Sequence, residues 1–158
     1  MSFDIAARAR LARFSAIVKL LTLPMKPIDS LQHCLYTSLL APGEGLGAVP
    51  RIVKSARAHN ALHGITGLLI FDGEAFCQWI EGPASSVETL MQRIRADTRH
   101  TSVRILLNEP MAARRFRDFS IAYASFGGGG LMHALGSAEG AAARECVLAW
   151  LPRLDALG

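Results

Sequence analysis

The stretch that decides the fold reads GLLIFDGEAFCQWIE and occupies residues 67–81. Two apolar runs flank Asp72-Gly73, a dipeptide that is among the strongest short signals for a tight turn between antiparallel strands. We therefore predict a β-hairpin whose strands lie at residues 67–71 and 74–81.

The second strand of this hairpin is apolar on both faces, because Phe76 and Ile80 alternate with Cys77 and Trp79. A strand of this kind is buried on both sides, so each face of the sheet needs a cover. For one face we expect a C-terminal helix within residues 137–154, and a second copy of the chain is the alternative cover.

The remaining elements are predicted from hydrophobic periodicity on either side of the hairpin. They are a strand at residues 32–38, helices carrying residues 49–56 and 87–94 on their buried faces, and strands at residues 103–107 and 119–123. Ser85 and Glu88 have the spacing of a capping box at the start of the second helix. The order β-α-β-β-α-β-β predicts an α+β fold, a ferredoxin-like mixed sheet with both helices on one face and the C-terminal helical extension on the other.

The domain organisation follows composition and charge. Residues 1–30 form a basic, amphipathic N-terminal extension of charge +3, residues 31–125 form the core domain, and residues 126–158 form a glycine hinge and helical cap. An apolar stripe predicts a helix in the extension, and we favour a flexible or self-packing segment over one that binds a partner or an anionic membrane. Translation could also begin at Met25.

Charge and composition also exclude several classes of function. Only +1 of the total charge of +4 lies after residue 30, so the core is not expected to bind nucleic acid. We see no membrane span or secretion signal and expect a cytoplasmic protein. Cys34, Cys77 and Cys146 are isolated in apolar segments, so we interpret them as structural and expect neither a disulfide nor a metal site.

Three polar side chains stand at positions that the pattern would bury. Alternation places Tyr36 and Gln78 on the helix-covered face of their strands, and Asn60 extends the apolar face of the first helix by one turn. From spacing alone, a tyrosine hydrogen-bonded to a glutamine in an inert core is the preferred interpretation. A polar pocket between the helices is the alternative.

Six blocks of sequence carry a resemblance to a known family. They are Tyr36-Thr37-Ser38, SARAHN at 55–60, GITGLL at 64–69, FCQWIEG at 76–82, DTRH at 97–100 and RRF at 114–116. In this order, over about residues 31–123, the chain resembles the BLUF family of blue-light receptors. The resemblance implies the fold predicted above and FAD held non-covalently between the two helices.

The resemblance also implies roles for individual residues. Tyr36 matches the electron and proton donor to the photoexcited flavin, and Gln78 matches the switch whose amide rearranges between the tyrosine and the ring. Asn60 matches the asparagine that holds the ring edge, while Arg93 and Asp97 match positions at the other end of the ring.

Further positions are assigned less directly by the same resemblance. His59 and Ile65 are candidates to line the flavin, and Trp79 is a candidate signal relay on the opposite face of the sheet. Phe119 and Ile121 stand where many family members carry tryptophan and methionine. Four other matching residues are adequately explained as surface charge: Arg99, His100, Arg114 and Arg115.

The sequence is thus interpreted as a photoreceptor, not an enzyme, that signals to a separate partner protein and forms a homo-oligomer. An acylphosphatase-like hydrolase on the same fold is one alternative, motivated by an asparagine and arginines near helix ends. A flavin-free protein-interaction module is the other.

Overall fold

The computed structural model of the chain describes residues 29–124 and 130–157. The predicted N-terminal helix and residues 125–129, which hold most of the glycine run, lie outside these ranges. The described strands are β1 (Leu31–Leu40), β2 (Thr66–Phe71), β3 (Ala75–Pro83), β4 (His100–Pro110), β5 (Phe119–Tyr123) and β6 (Asp155–Leu157). The helices are α1 (Ala48–Leu62), α2 (Ala84–Ala96), α3 (Gly130–Leu135) and α4 (Gly140–Trp150), followed by a 3₁₀ turn at Leu151–Arg153.

The strands form one mixed sheet in the order β4-β1-β3-β2-β5-β6. Neighbouring strands are antiparallel except β2 and β5, which are parallel. The predicted α+β, ferredoxin-like fold is therefore confirmed. Strand β6 was not predicted, because three residues are too few to show an alternating pattern.

Both long helices cover one face of the sheet, as predicted. Helix α1 packs Val49 and Ile52 on Leu69 and Phe76, whereas α2 packs its apolar stripe on β1 and β3 near Tyr36. Each helix thus covers one half of the sheet, and the gap between them lies over its centre.

The second face is covered by α3 and α4, which bury Leu131 and Val147 against a core that includes Trp79. The covering helix expected within residues 137–154 is confirmed as α4, with narrower bounds, whereas α3 was not predicted. Gly136 and Gly140 both have φ +55°, a left-handed conformation that interrupts a right-handed helix. The chain therefore turns between α3 and α4.

The hairpin turn is built around the carboxylate of Asp72. Its Oδ1 accepts hydrogen bonds from the backbone N–H groups of Glu74, at 3.0 Å, and Ala75, at 2.8 Å. Its Oδ2 accepts the N–H of Leu131 at 2.6 Å. One side chain therefore both closes the turn and holds the start of α3.

The predicted capping box at the start of α2 was wrong. The helix begins at Ala84, with Pro83 in the N-cap position, so Ser85 lies inside the first turn. The Ser85 hydroxyl donates to the carboxylate of Asp29, which also lies 3.3 Å from the Ser85 backbone nitrogen. Ser85 thus fixes the chain that enters β1 instead of capping its own helix.

Gly67 permits the close approach of β2 and β3. Its φ of +150° lies in a region that side chains disfavour, and a Cβ placed there would lie 2.0 Å from the carbonyl oxygen of Trp79. No other residue type fits this position without moving the strand.

Within the described ranges, no helix is long and apolar enough to cross a membrane, and no cluster of residues could hold a metal ion. The three cysteines are free thiols. Burial raises the pKa of both Cys34 and Cys77 to about 12, which is consistent with unreactive core residues.

Candidate functional site

A cavity of about 170 Å³ lies in the gap between α1 and α2. Its floor is formed by Tyr36, Leu69 and Gln78 from the three central strands. The side chains around it come from both helices and from the segment after α2: Ile52, Ser55, Ala56, His59, Asn60, Leu90, Arg93, Ile94, Asp97, Arg99 and His100. The polar residues expected at this position are thus gathered around one cavity.

Tyr36 and Gln78 occupy directly paired positions on β1 and β3. Both side chains are buried, and the Tyr36 hydroxyl donates a hydrogen bond to Oε1 of Gln78. Burial is also the main reason that the pKa of the Tyr36 phenol lies well above its ordinary value. The phenol therefore stays protonated and remains the donor in this pair.

Asn60 is fully buried near the end of α1. Neither its Oδ1 nor its Nδ2 has a hydrogen-bond partner among the described residues. An unsatisfied buried amide costs about 1 to 3 kcal/mol, so native proteins rarely retain one without a reason. Asn60 also lines the cavity, which makes its unpaired amide a candidate contact for a ligand there.

His59 and Arg93 bridge the two helices at one end of the cavity. Nη1 of Arg93 lies 2.7 Å from Nδ1 of His59, and the His59 ring stacks on His63 with centroids 3.9 Å apart. Partial burial, together with the charges of His63 and Arg93, lowers the pKa of His59. His59 is therefore held as a neutral acceptor for the arginine.

Asp97 follows α2 immediately and also lines the cavity. Arg99 donates to its carboxylate from Nε at 2.9 Å and from Nη2 at 2.6 Å. This hydrogen bonding lowers the pKa of Asp97 and raises that of Arg99. The ion pair therefore persists over the physiological pH range.

Sequence reasoning treated Arg99 and His100 as surface charge, but both line the cavity. Nδ1 of His100 lies 2.9 Å from Oγ of the buried Ser38, and burial is the main cause of the lowered pKa of His100. Their place in the DTRH block at residues 97–100, which resembles the family, was the available signal.

Ile65 does not line the cavity between the helices. It is buried with Cys34, Ile80 and Val87 in the core beneath α2. Its proposed contact with the flavin ring stays a prediction that this geometry does not favour.

The three expected relay residues lie on two faces of the sheet. Trp79 packs on the cap side, with its ring 5.6 Å from His33 and 5.9 Å from Phe116. Phe119 and Ile121 pack on the helix side with the cluster beneath α1. They do not form one continuous contact with Trp79.

Glu81 and Arg114 anchor the β4–β5 connection, a role that sequence reasoning missed. Oε2 of the buried Glu81 accepts the N–H groups of Arg115, at 2.8 Å, and Phe116, at 3.1 Å. The Arg114 guanidinium donates to Oγ1 of Thr66 at 2.8 Å and to the Glu81 carbonyl at 2.9 Å. The matching RRF block is therefore structural in part, because it fixes a loop to the hairpin.

Comparison with known families identifies the same region. The sequence profile of BLUF, described as sensors of blue light using FAD, matches residues 31–122. This match spans more than half of the chain and runs from β1 into β5, with both helices over the cavity.

Curated relatives agree with this match. The chain is 33% identical over 82 residues to the blue light- and temperature-regulated antirepressor BluF of Escherichia coli, covering 52% of this chain and 20% of the antirepressor. It is 40% identical over 63 residues to the photoactivated adenylate cyclase subunit beta of Euglena gracilis, covering 40% of this chain and 7% of that subunit. The chain thus spans about a fifth or less of the length of these two relatives.

Solved structures agree as well. The dark-state structure of BlrB, a BLUF protein, superposes with a TM-score of 0.57 at 36% identity and covers 62% of this chain and 74% of that one.

Proposed function

Because the chain belongs to the BLUF family, the sensors of blue light that use FAD, we propose that Tyr36 and Gln78 form its light-responsive hydrogen-bond pair and that its response passes to a separate signalling protein. The hydrogen bond from the Tyr36 hydroxyl to Gln78 Oε1, buried at the floor of the cavity, is the observation that carries this proposal.

The residues around the cavity suit the flavin ring of FAD. Asn60 offers a buried amide with an unused donor and acceptor, which complements the carbonyl and N–H edge of such a ring. Around the cavity, Arg93 with His59 and Asp97 with Arg99 supply charged and polar groups. We assign Asn60, Arg93 and Asp97 to cofactor binding, with His59 as a supporting contact.

The cofactor, when bound, supplies absorption of blue light and an excited ring that accepts an electron and a proton. Tyr36 is the matching donor, since its buried phenol remains protonated and its O–H is held in a defined direction. The Tyr36 proton lies on the hydrogen bond to Gln78, so Gln78 must rearrange when that proton moves.

Gln78 is suited to be the switch because its amide carries an acceptor and a donor on one short side chain. When the Tyr36 hydroxyl no longer donates, rotation or tautomerisation of the amide exchanges which neighbours it satisfies. In a buried network an unsatisfied group is costly, so the new arrangement persists until the tyrosine again donates.

The next side chain along β3 offers an output route. Trp79 follows Gln78 directly and packs beneath α3 and α4, so a shift of β3 reaches the cap. We propose Trp79 as the relay to this face, and Phe119 and Ile121 as relays on the helix face.

We further propose a sensor without catalytic activity of its own that acts in the cytoplasm as a homo-oligomer. The family profile that matches residues 31–122 describes sensors, and the two curated relatives are matched over 20% and 7% of their lengths.

One absorption experiment tests the proposal. Purified protein should be yellow, should release FAD on denaturation, and should show a small red shift of its visible band under blue light that reverses in darkness. Colourless protein after addition of FAD would instead favour a flavin-free interaction module. A bound flavin with no reversible shift would contradict the switch.

A further inference from the structure

A second, larger cavity lies on the face of the sheet opposite the chromophore site. It measures about 690 Å³ and opens between β1, β3, the β4–β5 connection and α4. Its floor holds His33, Trp79 and Glu81, and Arg115, Arg144 and Glu145 stand at its sides. The photochemistry proposed above uses none of these groups except Trp79.

Three buried polar atoms at this floor have no hydrogen-bond partner within residues 29–124 and 130–157. They are Nδ1 of His33, Nε1 of Trp79 and Oε1 of Glu81. His33 is 6% exposed, Trp79 3% and Glu81 0%. Buried polar groups are normally paired, so three on neighbouring side chains indicate a place built for polar atoms from outside the chain.

The three atoms also have defined hydrogen-bonding characters. The indole N–H of Trp79 can only donate, and the carboxylate oxygen of Glu81 accepts. Nε2 of His33 lies 3.2 Å from Oε1 of Glu109. If Nε2 donates its proton to that carboxylate, Nδ1 is an acceptor. His33 and Glu81 are paired across β1 and β3, so Nδ1 is then a second acceptor next to Glu81. A complementary molecule therefore carries a strong donor group close to an acceptor.

The charged side chains around the cavity define further which ligand would complement it. Arg144 is already engaged with Glu109, at 3.2 Å, and with Glu145, at 3.4 Å. The guanidinium of Arg115 lies over the Trp79 ring, 5.9 Å from its centroid, on an exposed residue. The charged groups available to a ligand are thus the carboxylate of Glu81 at the floor and the guanidinium of Arg115 above the Trp79 indole.

We propose that this cavity binds a small zwitterion of the α-amino-acid class. Its ammonium group donates to Oε1 of Glu81 and to Nδ1 of His33, and its carboxylate accepts from Nε1 of Trp79 and from Arg115. The site is chemically distinct from the chromophore cavity, since it lies on the other side of β3.

An indole NMR titration tests this assignment on the full chain with FAD bound, in darkness. The protein contains two tryptophans, so the ¹⁵N–¹H indole spectrum has two signals, which Trp79→Phe assigns. L-Alanine is the probe. Ethylammonium carries only its positive group, and propionate carries only its negative group. We expect a saturable shift of the Trp79 signal with alanine, at millimolar affinity, and at least about tenfold weaker binding of each single-charge compound.

Two variants and one control make the test specific. Glu81→Gln removes the anion and should weaken alanine binding at least about tenfold, whereas Glu88→Gln on the exposed face of α2 should leave it unchanged. Because Glu81 also fixes the β4–β5 connection, Arg115→Gln provides a second variant at an exposed position, and it should weaken alanine and propionate binding but not ethylammonium binding. The proposal is overturned if alanine gives no saturable shift of the Trp79 signal, or if Glu81→Gln and Arg115→Gln both bind it normally.

Discussion

The Tyr36 hydroxyl donates to Oε1 of Gln78 across a directly paired position of β1 and β3, so one hydrogen bond joins the side chains of two central strands. The pair lies at the floor of the cavity between α1 and α2. A change at either residue therefore acts on the cavity and on the sheet together.

Tyr36→Phe should abolish the light-induced red shift while FAD remains bound. The substitution removes only the hydroxyl, so the ring still fills its place in the core and the cost to stability is about 1 kcal/mol. Tyr123→Phe is the matched control, because Tyr123 is the other tyrosine of the chain and is 47% exposed. Difference spectra before and after blue light measure the effect, and a shift of normal size in Tyr36→Phe would refute the assigned role.

Gln78→Leu should also lose the reversible shift with FAD still bound. Leucine has a similar volume but neither a donor nor an acceptor, so the amide exchange cannot occur. Gln92→Leu, on the exposed side of α2, should respond to light like the unmodified chain. If Gln78→Leu retained the shift, the switch would have to be placed elsewhere.

Asn60→Ala should weaken FAD binding more than it weakens the fold. Its amide has no hydrogen-bond partner in the described part of the chain, so the substitution breaks no hydrogen bond of that side chain there. Loss of ligand hydrogen bonds worth about 1 to 3 kcal/mol corresponds to a rise in Kd of roughly five- to 150-fold.

Flavin fluorescence titration of the apoprotein measures this Kd, and urea unfolding measures the stability. Asn108→Ala on the exposed end of β4 is the control. Unchanged FAD affinity in Asn60→Ala would exclude the proposed contact.

Stability should fall as the pH is lowered from about 7 towards 5, in part through His100. Burial lowers the pKa of His100 in the folded state, although the charge of Asp97 opposes this shift. In the unfolded chain the pKa of a histidine is about 6.5. Above that pH both states are neutral. As the pH falls, the unfolded chain takes up the proton first, so the free energy of unfolding decreases until the folded-state pKa is passed.

His100→Gln should therefore make this pH dependence shallower, and His133→Gln, at an exposed position, should not. Urea unfolding at a series of pH values in darkness gives the slope. An equal slope in His100→Gln and the unmodified chain would show that His100 does not contribute.

Gly67→Ala should destabilise the fold by about 3 kcal/mol or more, because the new methyl group would overlap the Trp79 carbonyl and the backbone conformation is disfavoured. Gly45→Ala, where no atom lies within 4 Å of the new Cβ, should change stability by no more than about 0.5 kcal/mol. Thermal unfolding compares the two variants, and a similar melting temperature for both would contradict the packing described here.

Much of the fold could be predicted because the relevant signals are local and periodic. Asp72-Gly73 located the hairpin, and two amphipathic stripes located α1 and α2 over the same face. The start of α2 was misjudged because Ser85 has a tertiary partner, Asp29, that no local pattern reveals. Helix α3 was missed because its six residues are too few to show a helical period, and Gly136 separates it from α4.

The candidate site was predictable where side-chain type conflicted with a buried position. Asn60 is the clearest example, since an amide on an apolar stripe is unexpected. Glu81 could not be recognised in the same way, because its partners are backbone N–H groups of residues 115 and 116. Arg99 was overlooked because an arginine beside an aspartate is indistinguishable in sequence from solvated surface charge.

The packing of α3 and α4 on Trp79 has a consequence for any protein that recognises this face of the sheet. Such a protein competes with α3 and α4, which belong to the same chain. The effective concentration of a segment tethered by a short connection is on the order of millimolar or higher. Asp72, which binds the N–H of Leu131, strengthens the intramolecular competitor. Recognition of the sheet face itself would therefore require α3 and α4 to be displaced.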